Sequence, residues 1–316
     1  MTRTERLAAA IRGEAVDRPP VALWRHFPGD DYRPEDLAAA TVAFQRQYNF
    51  DFVKVTPASS FSVADWGAQD RWIGSMEGTR DYTFYPVQSP EDWYKLRPLD
   101  PTEGHLGDQL RCLRLIAGEL ADETPFIQTV FNPLSQAKHL AGDERLMVHL
   151  RRYPDALHAG LRTIAETTCR FICAAQETGM AGLFYAVQHA QYALLSADEY
   201  AAFGRVYDLQ VLEATRGLWF NVLHLHGENV MFDLLADYPV QVINWHDRET
   251  WPTLAEGQAR FGGAVCGGLQ RWEVIVRGSP ADVYAQAADA IAQTGGRRFI
   301  LGTGCVTPIV APVSNI

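Results

Sequence analysis

Residues 221–245 read NVLHLHGENVMFDLLADYPVQVINW: an apolar run of strand length ending in two histidines one residue apart, a turn opened by Gly227, and a second such run, VQVINW. Both runs are mostly apolar with little polar alternation, the pattern of a strand buried on both faces. Working outward, runs of this kind recur as VALW (21–24), FVKV (52–55), FIQTVF (126–131), GLFYAV (182–187), GAVCGG (263–268) and RFILGTG (298–304). With the first two they make eight.

Between them lie longer segments with apolar residues at three and four spacing, among them PEDLAAATVAFQRQY (34–48), YPDALHAGLRTIAETTCRFICAAQE (153–177), SADEYAAFGRVYDLQVLEATRG (196–217) and SPADVYAQAADAIAQTG (279–295). Ser196 and Ser279 precede acidic residues as helix starts do, and the Gly295-Gly296 pair closes the last helix. Eight strands alternating with helices predict an α/β fold, a single (β/α)8 TIM barrel spanning residues 1–316. A doubly wound sheet is the alternative, but no G-x-G-x-x-G follows the first strand. The tail after the last strand is short where a closing helix is expected, which leaves open a natural end, an incomplete chain or a homodimer that covers the gap.

A net charge of −10 and the lack of a lysine or arginine run argue against nucleic acid as a partner. The opening residues have no apolar signal core and no run reaches the length of a membrane span, so a cytoplasmic protein with no membrane partner is expected. Five cysteines without scaffold spacing do not predict a disulfide framework. Cys169 and Cys173 share a helix face and are expected in the core, as is Cys266.

In a barrel of this type the chemistry sits at the carboxyl ends of the strands. Those ends hold Arg25 and His26, Lys54, Gln188 and His189, His224 and His226, Asn244, His246 and Asp247, Cys266 and Cys305, taking in five of the nine histidines. Side chains alternate along a strand, so His224 and His226 face the same way. With the Cys305 thiol from the last strand they would form a nitrogen-and-sulfur set suited to zinc; alternatively the imidazoles are simply hydrogen-bonded at a strand end. His246 and Asp247 are adjacent, so at most one of them faces the mouth, and Gln188 and His189 pose the same choice.

RGEAVDRPPVALWRHFPG (12–29) resembles the opening of the uroporphyrinogen decarboxylase superfamily. Similarity continues through NPLSQAKHLAGD, FYAVQHAQYALLSADEYAAF, the 221–245 stretch and the segment from Gly267 to Asn315. The resemblance implies a single TIM barrel with its active site at the strand ends. Within that superfamily, metal-free decarboxylases carry a second arginine in the opening where this chain has Gly29, an aspartate after the second strand where it has Lys54 and Thr56, and a histidine in the last strand where it has Cys305.

The other branch, zinc-dependent methyltransferases acting with corrinoid proteins, carries H-x-C and a later cysteine in a glycine-rich last strand. His224 and Cys305 match its first and last ligands, and His226 stands in place of the middle cysteine. The resemblance therefore implies zinc on His224, His226 and Cys305, a small thiol or related nucleophile as acceptor, and a corrinoid (cobalamin) on a partner protein as donor. Arg25 and Lys54 are expected to orient an anionic end of the substrate, and His189 and His246 to supply polar contacts or proton transfer. Glu228 and His246 are candidates for a further ligand or supporting group. A metal-free decarboxylase and a non-catalytic ligand-binding barrel remain the alternatives.

Overall fold

The computed structural model describes residues 1–120 and 123–316. Seven strands, β1 (Val53–Val55), β4 (Phe126–Phe131), β5 (Gly182–Val187), β6 (Val222–Leu225), β7 (Val242–Trp245), β8 (Ala264–Leu269) and β9 (Phe299–Thr303), form one curled sheet in that order, every neighbouring pair parallel. Almost every residue of these strands is buried, as their unalternating apolar composition requires. Register sets the site: His224 lies beside Asn244, Leu225 beside Trp245, Asn244 beside Cys266, and Leu269 beside Thr303.

The expected first strand, VALW, is not a full member of this sheet. It makes one parallel bridge, Val21 to Leu301, with the N–H groups of Ala22 and Leu301 bonded to Leu301 and Pro20 carbonyls, while on its other side Asp51 N–H donates to Val21. Pro19 and Pro20 have no N–H to give, so a continuous ladder cannot start there.

The sequence reading also missed an antiparallel hairpin of β2 (Gln69–Arg71) and β3 (Asp81–Phe84). Its strands are short, largely exposed and polar, and so carry no core-strand signature.

The helices fall close to prediction: Pro34–Tyr48, Pro154–Gln176 and Pro280–Thr294, the last capped by Ser279 and closed by Gly295 in the left-handed conformation. Ser196 likewise caps its helix, although that segment passes through a π-turn at Ala201–Arg205 before Val206–Glu213. Cys266 is buried as expected, but Cys169 is half-buried and Cys173 exposed, because the helix buries the stripe through Leu161, Ile164, Ala165, Phe171 and Ile172 instead. No helix among the described residues is long and apolar enough to cross a membrane.

Candidate metal centre

The carboxyl ends of β6, β7 and β9 converge. His224 is the third residue of β6 and His226 follows its end, His246 follows β7, and Cys305 follows β9. One ligand atom from each of the four lies within 4.8 Å of the others. Gly304 makes the approach possible: a Cβ there would meet His246 Cα and the Trp245 carbonyl at 2.7 Å.

Hydrogen bonds fix the presentation of two of the imidazoles. Asn244 donates its amide to the carbonyls of Cys266 (2.9 Å) and Thr303 (3.1 Å), so its Oδ1 is an acceptor and His224 Nδ1, 2.7 Å away, must donate. His246 Nδ1 in turn donates to the Glu249 carboxylate at 3.0 Å. In its neutral form each ring therefore has its lone pair on Nε2, and both Nε2 atoms are buried without a hydrogen-bond partner among the described residues.

Cys305 Sγ lies 3.7 Å from His226 Nδ1. Burial would raise the Cys305 thiol, but His224, His226 and His246 overcome it and hold the group well below its ordinary value, as a thiolate. Burial disfavours charge on His246 too, yet the nearby Cys305 sulfur and the Glu249 carboxylate raise it to about 9, so this ring would have to release a proton before its Nε2 could bind a metal.

A tetrahedral zinc with one sulfur and three nitrogen ligands needs donor atoms about 3.5 Å apart. Cys305 Sγ and His226 Nδ1, 3.7 Å apart, come near that separation, all four atoms lie within 4.8 Å of one another, and the Glu249 and Asn244 contacts are of the kind that orient metal-bound histidines.

The cluster opens into a cavity of about 370 Å³. His224, His226 and Cys305 line it, with Trp24, Phe131 and Phe184 as apolar wall; His246 does not. Lys54 is buried at its side, bonded to Thr56 Oγ1 at 3.2 Å and 4.6 Å from the centre of the Phe184 ring, which itself stacks on His224. Burial lowers the Lys54 amine to about 7. The hairpin that sequence missed supplies Arg80 and Tyr82 to the same wall, and helix Pro133–Ala141 supplies Lys138 and His139.

Two expected site residues stand elsewhere. Arg25 does not line the cavity; its guanidinium lies over the rings of Phe27 and Phe44 at 5.3 and 5.7 Å, because His26 and Trp24 on either side take the inward direction. At the end of β5 it is Gln188 that lines the cavity, while His189 is buried behind it.

Asp247 turns away from the mouth to accept the Gly268 N–H, leaving His246 as the inward member of that pair. Glu228 is exposed and outside the cluster. The supporting carboxylate is Glu249, three residues after His246, a spacing that could have pointed to it.

The family model described as uroporphyrinogen decarboxylase (URO-D) matches residues 2–316. Similar proteins include the methylcobamide:CoM methyltransferases MtbA of Methanosarcina acetivorans, 22% identical over 330 residues, and of Methanosarcina mazei, 24% identical over 333, each alignment covering 100% of this chain and 95% of the relative. Uroporphyrinogen decarboxylase 2, chloroplastic, of Arabidopsis thaliana is 23% identical over 346 residues, covering 98% of this chain and 83% of that one. A solved methyltransferase from Methanosarcina mazei shares the fold with a TM-score of 0.88 at 19% identity, covering 100% and 96% of the two chains. A strand-end site on a curled parallel sheet and a match along almost the whole sequence agree: the chain belongs to the uroporphyrinogen decarboxylase family.

Proposed function

We propose that the chain, acting as one barrel domain closed by its Val21–Trp24 segment, is a zinc-dependent methyltransferase. It would move a methyl group between a corrinoid carried by a partner protein, or another donor, and a small thiol or related nucleophile. The observation that carries this reading is the cluster of His224, His226, His246 and Cys305, with two buried Nε2 atoms that have no hydrogen-bond partner among the described residues. Support also comes from the methyltransferases among its relatives.

Zinc held by these residues would lower the pKa of an incoming thiol and keep it nucleophilic. Cys305 supplies the single thiolate and the histidines neutral nitrogen, so the centre would be a stronger Lewis acid than one with two thiolates. Lys54, beside the Phe184 ring, would attract an anionic end of the substrate, and Trp24, Phe131 and Phe184 would keep water from the reacting atoms. Gln188 and Tyr82, which also line the cavity, offer neutral polar contacts. Metal-free decarboxylation would rely on Arg25 to steady substrate carboxylates, and that guanidinium lies outside the cavity.

Elemental analysis tests the reading. Purified protein should carry close to one zinc per chain, and His224→Ala and Cys305→Ala should each lose it. Protein that neither carries zinc nor takes it up would end this proposal.

A further inference from the structure

Four protein donors in reach of one point would saturate a tetrahedral metal, whereas a catalytic zinc keeps one position for substrate. The four are not held alike. His224 is locked by Asn244, itself bonded to two main-chain carbonyls, and stacks on Phe184. His246 is locked by Glu249 and is not one of the residues lining the cavity.

His226 differs on each count. It is half-buried and lines the cavity, and its one side-chain hydrogen-bond contact among the described residues is Cys305 itself. Directly after it the chain swings away through Gly227 at φ +97°. A molecule in the cavity meets His226 on its wall, whereas His246 is buried and is not one of the lining residues.

We propose that His246 is a permanent fourth ligand and that His226 is the labile one, which yields its place to the sulfur of a substrate thiol. The inference rests on the zinc reading above. With zinc bound, His226 would give up its place to the substrate sulfur, one metal–ligand bond being exchanged for another, and the thiol proton would pass to solvent in the cavity. No electron is transferred. The donor set would then change from three nitrogens and one sulfur to two of each. The substrate class that follows is a free thiol rather than a thioether, because only a thiolate competes well with imidazole for zinc.

The test uses the full chain loaded with cobalt(II) in place of zinc, with 2-mercaptoethanol as probe and absorption spectra as readout. Without thiol the wild type should show the charge-transfer intensity of one sulfur, and with thiol that of two. His226→Ala should still bind about one metal per chain and should reach the two-sulfur spectrum at about tenfold lower thiol, since no ligand has to be displaced. Glu249→Gln should weaken metal binding by about 10- to 100-fold, as loss of an orienting partner does, and His246→Ala at least as much.

Metal loss in His226→Ala with retention in His246→Ala would overturn the assignment while leaving the zinc reading intact. So would a one-sulfur spectrum that thiol does not change. Failure of the wild type to bind either metal would overturn both.

Discussion

Lys54 shows how much one side chain's surroundings decide. Three cationic side chains line the cavity, and Arg80 pairs with Asp31 while Lys138 lies 3.9 Å from Asp143. Lys54 has no carboxylate partner among the described residues: it contacts the Thr56 hydroxyl and the Phe184 ring and feels the charge of Cys305. Its folded value, lowered to about 7 by burial, lies below the value of an exposed lysine. The unfolded chain therefore binds more protons between that pH and about 10.4, and stability should rise with pH across the window. Lys54→Met should flatten that rise in urea unfolding measured from pH 7 to 10, and an unchanged slope would refute the argument.

The histidine positions were legible from the H-x-H spacing at a strand end. What spacing could not show was which nitrogen each ring presents, because Asn244 and Glu249 decide that through contacts across strands and turns.

At the scale of elements, the strands were readable because a parallel strand buried on both faces is apolar along its length, and the helices because their apolar stripe repeats every three or four residues. The two failures have separate causes: prolines that interrupt the first strand, and a polar hairpin without a buried face.

Close packing between elements yields two further expectations. Gly304→Ala places a methyl group 2.7 Å from His246 Cα and the Trp245 carbonyl, both backbone, so the chain after β9 must move and carry Cys305 with it. The variant should fold with a loss of about 1–3 kcal/mol and bind zinc poorly, measured by urea unfolding and metal content. Full zinc occupancy in it would show that the approach of β9 to β7 is not what assembles the cluster.

Asp208, fully buried on helix Val206–Glu213, accepts hydrogen bonds from Tyr185, Tyr200, Tyr238 and Asn132 and so ties that helix to β5 and to the start of helix Pro133–Ala141. Asp208→Ala strands these buried donors and should cost about 3 kcal/mol or more, read as a lower urea midpoint. A cost within about 0.5 kcal/mol, as at an unconstrained surface site, would contradict the role.

For the molecule as a whole, burial of histidine predicts acid sensitivity. Burial lowers His26 and His189 to about 3, and His139 falls well below its ordinary value for the same reason. An exposed histidine titrates near 6.5, so between there and the folded values the unfolded chain binds the extra protons and stability falls as pH falls. Each group steepens the loss by up to about 1.4 kcal/mol per pH unit. His189→Gln should therefore unfold less steeply between pH 6.5 and 4 in circular dichroism, and an identical pH profile would count against it.

By itself the sequence determined the strand–helix alternation, the rim of the sheet as the place for chemistry, the likeness to a family with two chemistries, and three members of the cluster. Periodicity carries the alternation because the repeat of side-chain direction is local to each element, and the quoted motifs carry the likeness and the ligand set it implies. The tertiary structure alone decided that His246 joins the cluster, that Glu249 and Asn244 support it, that Arg25 turns outward, and that Gln188 rather than His189 lines the cavity. Local periodicity leaves open which of two opposite directions faces the centre. Packing between strands distant in sequence makes that choice, and only the curled sheet brings β6, β7 and β9 to one point.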